Sequence, residues 1–125
     1  YYVAMTRRRR ISAVGCAASQ DLIHWEDRGP VATMPVADTG TGMCESPCVF
    51  EHDGRWRLFF THGEGTHWAV SDSPFHFEEP KFLAPAHAAE VFDWNGDFFI
   101  THCWHGGLDM ARLDLSRSEP KILPF

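Results

Sequence analysis

The residue best placed to do chemistry is a glutamate, Glu45, in the run Cys44-Glu45-Ser46-Pro47. Its neighbours are small or apolar, and a run that reads as a buried strand, Ser46 to Glu51, follows at once. Such surroundings should strip water from a carboxyl group and raise its pKa, as a proton donor to a leaving group requires. A single glutamate is more often a solvated loop residue, so the argument needs partners. His87 stands 42 residues further on, at the same point of a repeated segment. Arg7, His62, His67, Trp104 and His105 fall in or beside loops that open towards the same end. Glu45 is therefore assigned a catalytic role, and His87, His62, Trp104, Arg7, His67 and His105 roles in binding substrate. Trp104 and Trp68 offer flat faces suited to sugar rings, although core packing explains a tryptophan more often.

Other chemistries find less support. Cys44 and Cys48 are close in sequence, but a structural zinc site usually needs two close-spaced pairs and only one is present. Buried free thiols fit these cysteines better, and no metal or cofactor is assigned. His24 and His76 recur at equivalent places before a strand, which argues for a structural role. The net charge is −6, and the one basic run, Arg7 to Arg10, reads as a solvated loop between strands. That balance gives no reason to expect nucleic acid as a partner. No run of apolar residues is long enough for a membrane helix.

The elements that must hold these residues are legible as repeats, which are best sought first. Cys48-Val49-Phe50-Glu51-His52-Asp53-Gly54-Arg55-Trp56 aligns without a gap with Glu90-Val91-Phe92-Asp93-Trp94-Asn95-Gly96-Asp97-Phe98. Each copy is a short apolar run, an Asp-Gly or Asn-Gly pair, and an aromatic-rich run. Such pairs favour the two-residue hairpin turn. A second repeat joins Ala18 through Asp27 to Val70 through Glu79, each with a serine followed by His-aromatic-Glu-acid. Its longer offset fits an insertion within Val31 to Met43, rich in Thr, Gly, Pro and Ala.

The expected order is an inner strand (Ser46 to Glu51), a second (Arg55 to Thr61), a loop from His62 to Thr66, a third strand (His67 to Ser71) and an outer strand near Glu79 to Leu83. The next copy begins at His87, with strands Ala89 to Asp93, Asp97 to Cys103 and Leu108 to Leu113. Before them, Tyr1 to Thr6, Ile11 to Ser19 and Gly29 to Ala32 take the second, third and fourth places. No segment shows a helical period. Four antiparallel strands recurring every 40 to 50 or so residues describe a propeller blade. The expected fold is all-β, about two and a half blades of a propeller with four-stranded antiparallel blades. Residues 1–43 end one blade and add a loop, 44–85 form a complete blade, and 86–125 form most of the next. A strand-like start at Tyr1 suggests further sequence upstream.

The run Gly15-Cys16-Ala17-Ala18-Ser19-Gln20-Asp21-Leu22-Ile23-His24-Trp25-Glu26 resembles a blade motif of glycoside hydrolase families 43 and 32. Glu45-Ser46-Pro47-Cys48-Val49-Phe50, with Asp53-Gly54-Arg55-Trp56-Arg57-Leu58-Phe59-Phe60-Thr61, resembles the blade that bears their general acid. Ala88 to Gly96 and Gly106 to Leu113 look like the blade after it. The resemblance covers nearly the whole chain and implies a five-bladed propeller. It also implies Glu45 as general acid, opening blade three, and a carbohydrate substrate rich in fructose, arabinose or xylose.

These enzymes also use two aspartates on blades one and two, which would lie upstream of Tyr1, so this segment alone should be inactive. Glu45 would protonate the leaving oxygen while an aspartate acts from the other face. No cofactor is required. Some family-43 enzymes hold a metal ion near a channel histidine, the place His87 would take, but no metal is assigned here. The alternative reading is a non-catalytic propeller that binds carbohydrate or serves interaction alone, because fold does not fix function.

Overall fold

The computed structural model describes residues 2–8, 11–36, 42–104 and 106–123, with residues 2–8 and Trp104 as backbone only. Its regular elements are all strands: β1 (Tyr2–Arg8), β2 (Ile11–Ala18), β3 (Glu26–Pro35), β4 (Cys44–His52), β5 (Arg55–His62), β6 (Gly65–Ser71), β7 (Lys81–Ala84), β8 (His87–Trp94), β9 (Asp97–Trp104), β10 (Gly107–Asp114) and β11 (Lys121–Leu123). They form three antiparallel sheets in chain order, β1-β2-β3, β4-β5-β6-β7 and β8-β9-β10-β11. Three consecutive up-and-down sheets stacked face to face are blades of a β-propeller.

The hairpin turns form where the sequence calls for them. Asp53 and Gly54 both have positive φ, 52° and 68°, as do Asn95 and Gly96, at 55° and 86°. That is the backbone a two-residue turn needs to follow the twist of its strands. Alternation along the strands then sorts side chains between the two gaps. Leu58 and Phe60 point towards the first sheet and pack with Val14, Cys16, Val31 and Ala32. Phe59 and Trp68 point towards the third sheet and pack with Ala89, Ile100 and Leu113. The middle sheet is thus covered on both faces, and Leu58, Phe59 and Phe60 are all fully buried.

Three expectations need correction. The segment after His62 is no loop: His62 pairs with Gly65, leaving a tight turn of Gly63 and Glu64. Lys121–Leu123 adds a fourth strand to the third sheet, too short to show a period in sequence. β3 is ten residues long, far beyond Gly29 to Ala32. Its prolines concealed it. As the outer strand of its sheet, β3 can carry Pro30 and Pro35 where a central strand could not.

Candidate active site

Glu45 and His87 occupy equivalent places, one near the start of β4 and the other opening β8. The equivalence extends to the backbone. Glu45 pairs with Thr61 and Cys48 with Phe59, so Ser46 and Pro47 face Phe60 alone. His87 pairs with Cys103 and Glu90 with Thr101, so Ala88 and Ala89 face His102 alone. Two residues opposite one is a β-bulge, which bends a strand and re-aims its side chains. Ser46 and Ala88 each take positive φ, 49° and 52°, a costly conformation for residues with a Cβ. The same unusual backbone recurs at both inner-strand entrances.

Buried hydroxyls fix these entrances. Ser12, fully buried, accepts a hydrogen bond from the backbone N–H of Cys44 at 2.7 Å. Thr66 donates from Oγ1 to the Ala86 carbonyl at 2.8 Å. Thr61 accepts from the Ala88 N–H at 2.8 Å. His87 is therefore held on both sides by threonines of the preceding sheet, and Glu45 follows a residue anchored to the sheet before its own. The two side chains meet with His87 Nε2 3.0 Å from Glu45 Oε2. Ser12, Thr61 and Thr66 were not singled out in the sequence. A serine or threonine inside a strand resembles ordinary strand composition until its partner is seen.

The Glu45 side chain is half exposed, at 50%, and His87 at 49%. The dehydrated surroundings expected for Glu45 are thus only partly realised. β4 is an edge strand of its sheet, and the bulge turns its entrance outwards. A cleft of about 380 Å³ adjoins His87, walled by the Gly63-Glu64-Gly65 turn and by Pro85 and Ala86.

His62 and His67 form a separate group. Their rings meet edge to face at 5.5 Å, and His67 also contacts the rings of Phe60 and Phe82. His62 Nε2 lies 2.9 Å from the Pro35 carbonyl, and His67 Nδ1 lies 3.1 Å from that of Gly65. Burial pushes the His67 pKa below the ordinary histidine value, and nearby His62 adds to the effect, while the bond to Gly65 opposes it. These contacts join the β5–β6 hairpin to the end of β3. The side chains of Arg7 and Trp104, and the whole of His105, lie outside the described residues.

The cysteines do not share a site. Cys44 belongs to the core between the first two sheets, while Cys48 packs into the gap on the other side. Burial raises both thiol pKa values, which suits inert side chains. Among the described residues no three of His, Cys, Asp and Glu gather in a way that could hold a metal ion. Glu45 and His87 supply two donors, which does not amount to a cation site.

Three stacked sheets with a carboxyl group at an inner-strand entrance can be set beside known folds. The chain has the fold of the family-43 and family-32 glycoside hydrolases. A thermostable family-43 glycoside hydrolase superposes with a TM-score of 0.70 at 16% identity, over 90% of this chain and 47% of that one. The family-32 β-fructofuranosidase of Bombyx mori gives 0.71 at 16%, over 99% of this chain and 34% of its own. An endo-arabinase from Bacteroides thetaiotaomicron gives 0.66 at 20%, over 98% and 54%. The chain spans between about a third and about a half of these glycoside hydrolases. At such identities the likeness is one of fold. No family model and no curated protein sequence matches the chain.

Proposed function

We propose that this chain is the acid-bearing part of a glycoside hydrolase propeller acting on O-glycosidic bonds of fructose-, arabinose- or xylose-containing glycans. Glu45 is the general acid and His87 its partner. The observation that carries this reading is the Glu45–His87 hydrogen bond, made between two identical bulges at neighbouring inner-strand entrances. Bulges are over-represented beside active sites, where they aim a side chain. The fold's relatives support the substrate class. They include a fructofuranosidase, one variant of which is seen with sucrose, and arabinan-cleaving enzymes.

In this mechanism the glycosidic oxygen approaches the half-exposed Glu45 carboxyl, which gives up its proton as the bond to the anomeric carbon breaks. His87 holds one carboxyl oxygen and so presents the other. The second carboxylate of the pair acts from the opposite face of the sugar and belongs to blades beyond the three sheets here. The half-exposed His87 and the adjoining cleft are placed to take the departing sugar.

The test uses the complete propeller. Glu45→Gln keeps the shape and removes the proton. Turnover on a natural glycan should fall by roughly 10² to 10⁴, the range for losing a general acid. Binding of that glycan, measured by calorimetry, should persist. Retained turnover would remove Glu45 from the mechanism and leave a sugar-binding propeller as the better reading.

A further inference from the structure

Away from Glu45, the gap between the second and third sheets contains a cavity of about 90 Å³ with an unusual lining. Its apolar wall is Phe59, Trp68 and Val70 of the middle sheet, with Leu115 opposite. Its polar lining is Arg55, Arg57, Arg117 and Ser118, with no acidic residue among the described lining residues. Arg55 and Arg57 alternate with Phe59 along β5, so the strand's period of two brings both to this gap. Arg117 and Ser118 come from the link between β10 and β11.

The carboxylates near these arginines lie outside the cavity. Arg55 pairs with Asp72 at 3.0 Å on an exposed flank. Arg57 donates to the backbone carbonyls of His52 and Arg55. Burial lowers its pKa, Asp53 opposes this, and the neighbouring Arg55 charge lowers it further. Arg117 lies near Asp114, whose own pKa is lowered mainly by Ser116 and slightly by this arginine. Side chains of three arginines and a serine thus line one small space, with no carboxylate among its described lining. Planar guanidinium groups match the oxygen geometry of phosphate and sulfate.

We infer that this inter-sheet cavity is a binding site for a tetrahedral oxyanion, phosphate or sulfate, free or as the ester group of a sugar. An anion there bridges Arg57 of the middle sheet to Arg117 and Ser118 of the third, and so fastens two blades together. The site is separate from Glu45 and does not depend on the proposed hydrolase activity.

The test is calorimetric titration of the full chain with inorganic phosphate, and separately with a sugar 6-phosphate, at constant ionic strength. Thermal unfolding is followed in parallel. Both Arg55 and Arg117 are exposed, so Arg55→Gln and Arg117→Gln should fold. The wild type should bind saturably and its unfolding midpoint should rise with occupancy. Each variant should bind about tenfold more weakly or worse, as expected for losing a charge-assisted contact. Whichever probe binds more tightly identifies the source of the oxyanion. A wild type that does not saturate, or variants stabilised as much as wild type, would indicate general salting alone and would overturn the site.

Discussion

The second and third sheets are written in the same pattern 42 residues apart, yet they live in different environments. Their first hairpins share register, bulge and turn. In the second sheet, neighbours cover both faces, and Leu58, Phe59 and Phe60 are all at 0% exposure. In the third, only one face is sealed, where Ile100 is buried, while Phe92, Met110 and Leu108 on other positions are 39%, 47% and 73% exposed. Local sequence therefore sets the hairpin, while the neighbouring sheet decides which of its side chains matter. Exposed apolar residues of this kind are what a blade presents when nothing packs against it.

The largest effect that would sharpen this contrast is at Gly65. A Cβ there would sit 2.2 Å from the Ala84 carbonyl oxygen and 3.0 Å from Pro85 Cα, because the connector to the third sheet crosses directly over it. Gly65→Ala should cost more than about 4 kcal/mol or prevent folding, the mark of an unavoidable backbone clash. Its counterpart Gly107 is exposed, and Gly107→Ala should change stability by less than about 0.5 kcal/mol. Urea midpoints of the two variants give the comparison. Similar losses in both would mean that the connector does not pack as described.

Next come the aromatic residues. Phe59→Ala should lose about 3 to 5 kcal/mol, as large-to-small changes in a sealed core do. Phe92→Ala, which breaks a stack on Phe99 at 5.6 Å at a position already 39% exposed, should lose about 1 kcal/mol. Equal losses would contradict the difference in covering. Thr61→Val comes third. It removes the acceptor for the Ala88 N–H and should cost about 1 to 3 kcal/mol. It should also loosen the His87 backbone, seen as faster amide exchange at Ala88.

How much of this was legible in the sequence differs from feature to feature. The Asp-Gly and Asn-Gly pairs marked both hairpins because few residues accept positive φ at two successive positions. The ungapped repeat set Glu45 against His87 because equivalent residues of neighbouring blades stand side by side. The bulges were hidden, since nothing in Ser46 or Ala88 announces positive φ; the distortion comes from fitting two residues opposite one. Thr61 and Thr66 were hidden because their partners are remote. The half-exposed state of Glu45 was missed because flanking apolar residues were read as a covering layer, whereas the edge strand leaves one side open. The Ser19-x-Asp21 run was legible as a recurring blade motif, but its bonds were not. Asp21 accepts bonds from the backbone of Ile23 and His24 and from the His24 ring, which hold its pKa far below the usual carboxylate range.

The smallest effect concerns pH. His67 has a folded-state pKa below its unfolded value near 6.5, so the unfolded chain binds more protons. Its contribution is fully present above about pH 6.5 and is lost as pH falls through the lower folded value. Stability measured from pH 7.5 down to 5 should fall more steeply in wild type than in His67→Gln, which cannot charge. Parallel curves would show that the histidine pair has no part in acid sensitivity.

Leaving-group dependence addresses the role of Glu45 most directly. Fluoride leaves a glycosyl fluoride without needing a proton, while a glycan oxygen needs one. In the complete propeller, the ratio of kcat/KM on a glycan to that on the matching fluoride should collapse in Glu45→Gln by roughly 10² to 10⁴, with fluoride hydrolysis nearly intact. An unchanged ratio, whether both rates fall together or neither falls, would contradict proton donation by Glu45.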